Sequence, residues 1–393
     1  MPSHLSSRPR VLVVTRNLPP AHGGMERLLE ALIATLAQFC ELAVVGPRDA
    51  ATLHTLRGLD MTGCPMHPTA GFLLACQLAT WQVARRLRPE AIIAGSGLVA
   101  PAAWWAARCS GSRAATYLHG LDIGSRHPLY SLGFVPCIRA CQRVWVNSRF
   151  TGALATARGV SPDRLRTLSP LVTMATDQHK TDAVAWRQRW MGHRVLLSAG
   201  RLIPRKGLPS FVEHVFPLVL RHHPQTILAI AGDEAHGGIK SQDGEEQRIR
   251  QAAARAGVLH RLDWLGWLAP DTLQAAYTAA DVLVFPVQHV PADPEGFGMV
   301  AIEAASCGLP TVAYATGGVC EAVEHGVSGW LVPPGDMAGF AAAVIALLDQ
   351  PTHATAEGCR RFAQQFSKER FAMQLQSLLM ELLQADVPRL AGH

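Results

Sequence analysis

This sequence has few lysines and lacks long apolar runs and a secretory leader. Only four of its 36 basic residues are lysines. No apolar run reaches the ~18 residues that a membrane-spanning helix needs. The opening residues MPSHLSSRPR lead directly into VLVVT, without the apolar segment of a signal peptide. We therefore expect a chain that folds in water and is located in the cytoplasm. A location at the inner face of the cytoplasmic membrane is the alternative.

The nine cysteines are odd in number and scattered, which is typical of free thiols in a reducing compartment. Cys137 and Cys141 are spaced like neighbours on one helical face, but no second pair or histidine cluster accompanies them. A structural zinc site is therefore not expected. All nine cysteines are interpreted as small apolar residues of the core.

The length and composition indicate two globular domains. A chain of 393 residues is longer than one hydrophobic core usually requires and suits two domains of ~150–200 residues. Apolar residues make up 49% and charged residues 17% of the chain, which is typical of a globular enzyme.

Short apolar runs alternate with segments of helical periodicity through both halves of the chain. The candidate strands are RVLVVT (10–15), ELAVVG (41–46), AIIAG (91–95), AATYLHG (114–120), RVWVNS (143–148), RVLLSAG (194–200), TILAIAG (226–232), HRLDWLG (260–266), DVLVFPV (281–287), PTVAYA (310–315) and GWLVPP (329–334). A polar segment at 166–192 separates the two series. The pattern predicts an α/β fold of two Rossmann-like, doubly wound parallel-sheet domains that face a central cleft. We expect the domains at 1–175 and 193–367, with a helix at about 368–385 packing back on the first.

Charge is distributed unevenly along the chain. Residues 1–180 include 19 basic and 9 acidic residues, a balance of +10, against 17 and 21 in residues 181–393, a balance of −4. Arg85, Arg86 and Arg88 follow the apolar segment FLLACQLATW. This pattern favours peripheral contact with an anionic membrane, and a solvated arginine-rich surface is the alternative. Nucleic acid is not expected as a partner, because no basic and aromatic motif accompanies the charge.

A glycine pair follows the first candidate strand in RNLPPAHGGMERL (16–28). Gly23 and Gly24 let the backbone approach a ligand closely, and the helix that starts at about Met25 favours a phosphate at its amino end. An ordinary turn before a helix is the alternative.

Two cations share the short loop after another strand, in SAGRLIPRKGL (198–208). The planar guanidinium of Arg201 and the ammonium of Lys206 suit a diphosphate, whose charge needs donors of fixed geometry. A solvated basic loop is the alternative.

His119 ends a strand in TYLHGLDI (116–123) and is followed by a glycine. This position favours a role in a site at the strand ends, whereas a lone histidine also occurs as a structural residue. Both interpretations stay open from the residues alone.

Two carboxylates stand eight positions apart in EGFGMVAIE (295–303). The flanking glycines expose the amides of residues 297–299 at the start of a helix, with Glu295 in the preceding loop and Glu303 on the helix. Carboxylates accept hydrogen bonds from sugar hydroxyls, and free amides donate to anionic oxygens. One segment can thus bind a sugar and its phosphate.

Together these motifs resemble a known enzyme family. RNLPPAHGGMERL, AGRLIPRKG and EGFGMVAIEAASCGLPTVAYATGGVCEAV are similar to the motifs of the family 4 retaining glycosyltransferases of GT-B architecture, also called glycosyl transferases group 1. The resemblance spans nearly the whole chain. One departure is IAGDEAHGGIKSQDGEEQ (230–247), which stands where many relatives have a Gly-x-Gly turn.

The resemblance implies roles for residues of the glutamate motif. Glu295 would bind hydroxyls of the donor sugar, and Glu303 would hold the ribose of the nucleotide. The amides of Phe297, Gly298 and Met299 would contact the sugar and the diphosphate.

Other residues take their implied roles from the remaining motifs. Arg201 and Lys206 would neutralise the diphosphate, and the Gly23–Gly24 loop would approach it. His119 would lie beside the transferred sugar. The backbone near Gly266 and Trp267 would cradle the base.

The implied reaction is transfer of a hexose from a nucleotide-diphosphate sugar, with retention of anomeric configuration, to a cell-envelope polysaccharide, lipopolysaccharide or lipid-linked glycan. Family membership favours GDP-mannose or a GDP-deoxyhexose as donor. No cofactor is expected besides this co-substrate. The family's general independence of metal implies that no metal is required, and the lack of an Asp-x-Asp element at a strand end agrees with this. Two alternatives stay open: a nucleotide-sugar 2-epimerase or phosphorylase on the same fold, and a non-catalytic nucleotide-sugar binding protein.

Overall fold

The computed structural model describes residues 8–20, 23–53, 56–234, 244–290, 293–350 and 354–386. Its contacts divide the chain into two compact units. The first comprises Met1–Pro170 with Glu369–His393, and the second comprises Leu171–Lys368. Half of the departure at 230–247, residues 235–243, lies outside the described residues.

The first unit has a parallel sheet of seven strands in its described residues. The strands are β1 (Arg10–Val14), β2 (Glu41–Pro47), β3 (Asp60–Cys64), β4 (Ala91–Ala94), β5 (Arg113–Leu118), β6 (Arg143–Val146) and β7 (Leu165–Thr167). Their order across the sheet is β3-β2-β1-β4-β5-β6-β7. The central strand β4 is apolar and buried along its whole length, because a doubly wound sheet is covered by helices on both faces.

Helices connect these strands and bury their apolar faces against the sheet. They are α1 (Gly24–Leu36), α2 (Thr69–Leu87), α3 (Ala100–Ser110), α4 (Leu121–Gly124), α5 (Pro128–Gly133), α6 (Val135–Ala140) and α7 (Arg149–Ala157), with 3₁₀ turns at Arg48–Thr52, Gly97–Val99 and Pro162–Arg164. Phe72 of α2 and Ala103 of α3 are fully buried against Leu12 and Ile92 of the sheet. Helix α3 is rich in alanine, and these small side chains let it lie close to the strands.

The second unit has a parallel sheet of six strands in its described residues. They are β8 (Arg194–Ala199), β9 (Thr226–Ala231), β10 (Leu262–Gly266), β11 (Val282–Phe285), β12 (Thr311–Tyr314) and β13 (Gly329–Val332). The order is β10-β9-β8-β11-β12-β13. Both sheets therefore run outward in one direction from their first strand and then reverse, as in a Rossmann fold. The predicted pair of Rossmann-like domains is confirmed.

The helices of the second unit begin before its first strand. They are α8 (Asp177–Arg189), α9 (Leu208–Ser210), α10 (Phe216–His222), α11 (Glu245–Arg255), α12 (Pro270–Ala279), α13 (Met299–Ser306), α14 (Val319–Ala322), α15 (Met337–Asp349) and α16 (Ala356–Ala363). A π turn at Phe211–Val215 joins α9 to α10, and 3₁₀ turns lie at Pro204–Lys206, Leu259–Arg261 and Gln364–Phe366. Phe211, Phe216 and Phe340 pack together in the core.

The last helix, α17 (Lys368–Gln384), packs in the first unit. Glu381 lies 2.9 Å from Nε of Arg143 and 2.6 Å from a guanidinium nitrogen of Arg166. Nε of Arg113 donates to the carbonyl of Ala385 at 2.7 Å. Leu375 and Leu379 on the same helix are buried.

The structure adds details that the sequence pattern did not predict. Strands β3 and β7 lie at the two edges of the first sheet, where a strand pairs on one side only and needs no continuous apolar run.

Two of the nine cysteines, Cys109 and Cys320, are exposed, so their interpretation as core residues is wrong. Across the described ranges, no group of His, Cys, Asp and Glu side chains has the arrangement of a metal site. None of the helices described above is long and apolar enough to span a bilayer.

Candidate active site

The topological switch point of the second unit lies between β8 and β11, where the strand order reverses. Open α/β sheets bind ligands beyond the carboxyl ends of such strands. Gly207 lets the two loops at this point come together: its φ is +69°, and a Cβ there would lie 2.2 Å from the carbonyl oxygen of Pro286. Any other residue would force the loops apart.

A chain of ion pairs links these loops. Nζ of Lys206 lies 2.9 Å from Oε2 of Glu295, and Nε of Arg205 lies 3.2 Å from the same oxygen. The guanidinium of Arg205 also donates to Asp293 at 2.9 Å. Only 14% of the Lys206 side chain and 11% of the Glu295 side chain are exposed. The four residues Asp293, Arg205, Glu295 and Lys206 are called the ion-pair chain below.

Burial and charge act in opposite directions on the ion-pair chain. Burial by itself would raise the pKa of Glu295, but the charges and hydrogen bonds of Lys206 and Arg205 outweigh it and lower this pKa to about 2. Burial lowers the pKa of Lys206; Glu295 opposes the change, whereas the like charge of Arg205 adds to it. Glu295 is therefore an anion throughout the neutral range.

Arg201 lies on the same loop and is exposed. It is close enough to Lys206 for its charge to contribute to lowering the pKa of the lysine. Within the described residues its guanidinium makes no hydrogen bond. The structure thus brings Arg201, Lys206 and Glu295 together, with one cation available to an incoming anion.

Helix α13 begins directly after this cluster. Gly298 precedes it with a φ of +99°, and a Cβ there would lie 2.9 Å from the Phe285 ring. The Phe297 side chain is buried against Phe366, with ring centroids 5.5 Å apart, so its backbone is the part that can meet a ligand. The amides of the first turn, which starts at Met299, have no carbonyl one turn earlier in the helix to bond, and this favours an anionic oxygen there.

Glu303 is buried within α13, where the hydroxyl of Tyr277 lies 3.4 Å from its Oε2. Gly266 and Trp267 lie farther along the same edge, at the end of β10. The intervening strand β9 separates them from β8. Half of the Trp267 side chain is exposed. The predicted base-binding residues therefore share an edge with the phosphate cluster without being part of it.

The first unit has polar residues at the corresponding place, between β1 and β4. Gly23 immediately precedes α1, and a Cβ on it would lie 2.2 Å from Oε2 of Glu26. The other carboxylate oxygen of Glu26 accepts from Asn17 at 3.1 Å. Oε2 is buried and accepts no hydrogen bond from the residues that the structure describes. Gly24 is the first residue of the helix.

His119 follows β5 of the same sheet. Its Nε2 lies 2.9 Å from the carbonyl oxygen of Gly95. Because a carbonyl only accepts, Nε2 must bear a proton. Burial lowers the pKa of His119, against the opposing charge of Asp122, whose Oδ1 accepts the backbone N–H of His119 at 2.9 Å. The ring is therefore neutral at neutral pH, with Nδ1 as an acceptor.

Four residues of these clusters are absent from the predicted set: Arg205, Asp293, Glu26 and Asp122. Each lies within three positions of a predicted residue, and this proximity is the signal in the sequence that could have identified it. Arg205 precedes Lys206, and Asp293 lies two positions before Glu295. What the sequence did not show is that Arg205 and Asp293 are partners.

Comparison with known proteins decides the family. The family model described as Glycosyl transferases group 1 matches residues 185–368, and the model described as Glycosyltransferase Family 4 matches residues 22–175. This chain belongs to the family 4 glycosyltransferases. The predicted family and enzyme class are confirmed, and a family 4 glycosyltransferase with two Rossmann-like units has the GT-B fold.

Individual relatives agree with this membership. A GDP-mannose-dependent alpha-(1-6)-phosphatidylinositol monomannoside mannosyltransferase of Mycolicibacterium smegmatis is 29% identical over 88% of this chain and 91% of its own length. A D-inositol 3-phosphate glycosyltransferase of Acidothermus cellulolyticus is 34% identical over 54% of this chain and 46% of its own length. HepE of Anabaena, solved in complex with UDP-glucose, superposes with a TM-score of 0.77 at 22% identity, covering 94% of this chain and 99% of its own.

Proposed function

We propose that this glycosyltransferase moves a hexose from a nucleoside-diphosphate sugar, with retention of configuration, to a glycan or lipid-linked acceptor. The observation that carries the proposal is the cluster of Arg201, Lys206 and Glu295 at the switch point of the second unit. It combines cations for a diphosphate with a carboxylate for sugar hydroxyls. The names of the relatives, which include a mannosyltransferase that depends on GDP-mannose, support it.

The cations fit the charge that develops in the reaction. Breaking the anomeric C–O bond puts positive charge on the sugar and negative charge on the departing nucleoside diphosphate. Fixed donors stabilise this separated charge more than they stabilise the bound donor. In the proposal Arg201 and Lys206 meet the phosphates together with the first amides of α13.

The carboxylates fit the hydroxyls of the donor. Lys206 and Arg205 both contact Oε2 of Glu295, and within the described residues no donor contacts Oε1. We propose that Oε1 accepts a hydroxyl of the transferred hexose and that Glu303 accepts the ribose hydroxyls. In the first unit, the neutral His119 offers Nδ1 to a sugar hydroxyl, and the Gly23–Gly24 loop offers backbone amides.

Retention is proposed to result from attack on the same face as the leaving group, with a phosphate oxygen taking the acceptor proton. Glu295 then has a binding role and is not a covalent nucleophile, because its carboxylate is held by two cations. The anomeric configuration of the product, determined by NMR coupling constants, tests this. An inverted product would overturn the proposed stereochemistry.

We propose GDP-mannose as the donor. The exposed indole of Trp267 gives a purine base a surface for stacking. A thermal-shift screen with GDP-mannose, GDP-fucose, UDP-glucose, dTDP-rhamnose and ADP-glucose tests the donor, because a ligand that binds only the folded state raises the melting temperature. We expect the largest rise with GDP-mannose. A rise with UDP-glucose alone would assign the uridine donor instead.

The acceptor side is proposed to involve an anionic membrane. Leu74 and Leu78 on α2 are 69% and 62% exposed, and with Trp81 and Arg85 they follow helical spacing along one face. The guanidinium of Arg85 lies 4.8 Å from the centre of the Trp81 ring. An apolar stripe with a basic end suits the interface of anionic lipid, which would bring a lipid-linked acceptor to the enzyme.

Vesicle sedimentation tests this contact. We expect the chain to sediment with vesicles that contain phosphatidylglycerol and to remain in solution with phosphatidylcholine alone. The double variant Leu74→Glu, Leu78→Glu should lose the binding. Leu259→Glu, at an exposed leucine of the second unit, is the matched control and should bind as the wild type does. Equal binding by all three proteins would refute the proposed face.

A further inference from the structure

The ion-pair chain contains two cations and two carboxylates, so its own charge is balanced before any nucleotide binds. It runs from Asp293 through Arg205 and Glu295 to Lys206, with N–O distances of 2.9, 3.2 and 2.9 Å. Arg205, the second member, is also held through its backbone, because its carbonyl accepts the N–H of Gln288 at 2.8 Å. Lys206 forms the end of the chain next to Arg201.

The central carboxylate has two interchangeable partners. Arg205 and Lys206 both contact the same oxygen of Glu295, so either cation can hold it when the other turns away. A buried carboxylate that loses its only partner is strongly destabilised. Because Arg205 stays bound to Glu295, a ligand that binds Lys206 does not leave the carboxylate unpaired.

We propose that the ion-pair chain is an exchange device: a bound diphosphate takes Lys206 from Glu295, while Arg205 keeps the carboxylate ionised and in place. Arg205 is a positioning residue that acts on the nucleotide only through Glu295. This inference rests on the proposed function, because it needs a nucleoside diphosphate at Lys206. A diphosphate has more charge and more acceptor oxygens than one carboxylate, so the ammonium gains by the exchange.

A double-mutant cycle tests whether Arg205 acts through Glu295. GDP and UDP are each titrated calorimetrically into the full chain, into Arg205→Gln, into Glu295→Gln and into the double variant. Arg205→Gln should weaken diphosphate binding about tenfold, because Glu295 then competes for Lys206 without an alternative partner. Glu295→Gln should bind the bare diphosphate at least as tightly as the wild type, since the competitor is neutral.

The double variant gives the decisive comparison. In the Glu295→Gln background, Arg205→Gln should change affinity less than about twofold. An equal loss in both backgrounds would show that Arg205 acts by its own charge and would overturn the exchange. No loss in the single variant would overturn it too.

Folding is controlled with a conservative variant. Should Arg205→Gln melt below the titration temperature, Arg205→Lys replaces it in the cycle. It keeps the charge but reaches only one carboxylate, and we expect a loss of about threefold that disappears beside Glu295→Gln. Failure of the wild type to bind either nucleotide would overturn the proposed function and the exchange together. Binding with an additive cycle would overturn the exchange alone.

Discussion

Lys206 is the residue on which the proposed chemistry depends most. It is one of four lysines in the chain, its side chain is largely buried, and its ammonium lies 4.5 Å from the centre of the Phe285 ring. An ammonium is a compact charge whose three donors can turn between partners. A buried lysine that contacts a carboxylate at a switch point suits an anionic ligand, because its donors can turn from the carboxylate to the ligand.

Replacing Lys206 should remove transition-state stabilisation. Lys206→Ala is expected to raise the activation free energy derived from kcat/KM by about 2–4 kcal/mol, by analogy with loss of one oxyanion donor. Steady-state kinetics with the donor found in the thermal-shift screen measures it. Lys180→Ala, at an exposed lysine of α8, is the matched control and should keep full activity. Unchanged turnover in Lys206→Ala would refute the role.

The depressed pKa of Glu295 predicts a pH window. Its pKa falls from about 4.5 in the ordinary case to about 2 in the folded chain. A carboxyl group with a lowered folded pKa contributes stability above its unfolded pKa and loses it as the pH falls towards the folded value. The contribution of Glu295 should therefore be constant above about pH 4.5 and decline between pH 4.5 and 2.

Urea unfolding at several pH values measures this contribution. The free energy of unfolding of the wild type should exceed that of Glu295→Gln by a constant amount from pH 7 to pH 5. This difference should narrow at pH 4 and pH 3. A difference that widened on acidification would contradict the ion-pair chain.

At the scale of elements, glycines at loop junctions decide how closely the strand-end loops approach each other. Gly207 admits the backbone of Pro286, and Gly318 lies where a Cβ would be 2.0 Å from the carbonyl oxygen of Gly296. The N–H of Gly318 donates to the carbonyl of Glu295 at 3.0 Å. Gly318 thus holds the backbone at Glu295 and Gly296, and Gly207 holds the backbone at Pro286.

Substitution of Gly207 should disturb this junction. Gly207→Ala adds a clash with a backbone oxygen to an unfavourable positive φ, and we expect a loss of roughly 2–4 kcal/mol in the free energy of unfolding. Chemical denaturation measures it. Gly152→Ala in α7 is the control, because its Cβ would have ordinary contact at 3.6 Å and a helix favours alanine. A Gly207→Ala variant as stable as Gly152→Ala would contradict the close approach.

At the scale of the whole molecule, the first unit is built from both ends of the chain. Helix α17 follows the second unit in sequence, yet it buries Leu375 and Leu379 in the first unit and places Glu381 between two arginines. Ion pairs of this partial exposure contribute little. The buried leucines are therefore the main attachment of the helix.

Leu375 should therefore contribute to the stability of the first unit. Leu375→Ala is expected to lower the free energy of unfolding of the first unit by about 2–5 kcal/mol, because the substitution leaves a cavity in a packed core. Calorimetric scans that resolve the unfolding of the two units measure this. Met373→Ala, at an exposed position of the same helix, should leave the scan unchanged. A shift confined to the second unit's transition would contradict this packing.

The sequence by itself determined the alternation of strands and helices, and hence both Rossmann-like sheets, because apolar periodicity is a local property. It also placed Lys206, Glu295 and His119 at strand ends, since these residues directly follow or precede apolar runs. Tertiary structure alone decided that Arg205 binds Asp293, which lies 88 positions away. Such contacts depend on which loops meet at a sheet edge, and strand order, a non-local property, decides that.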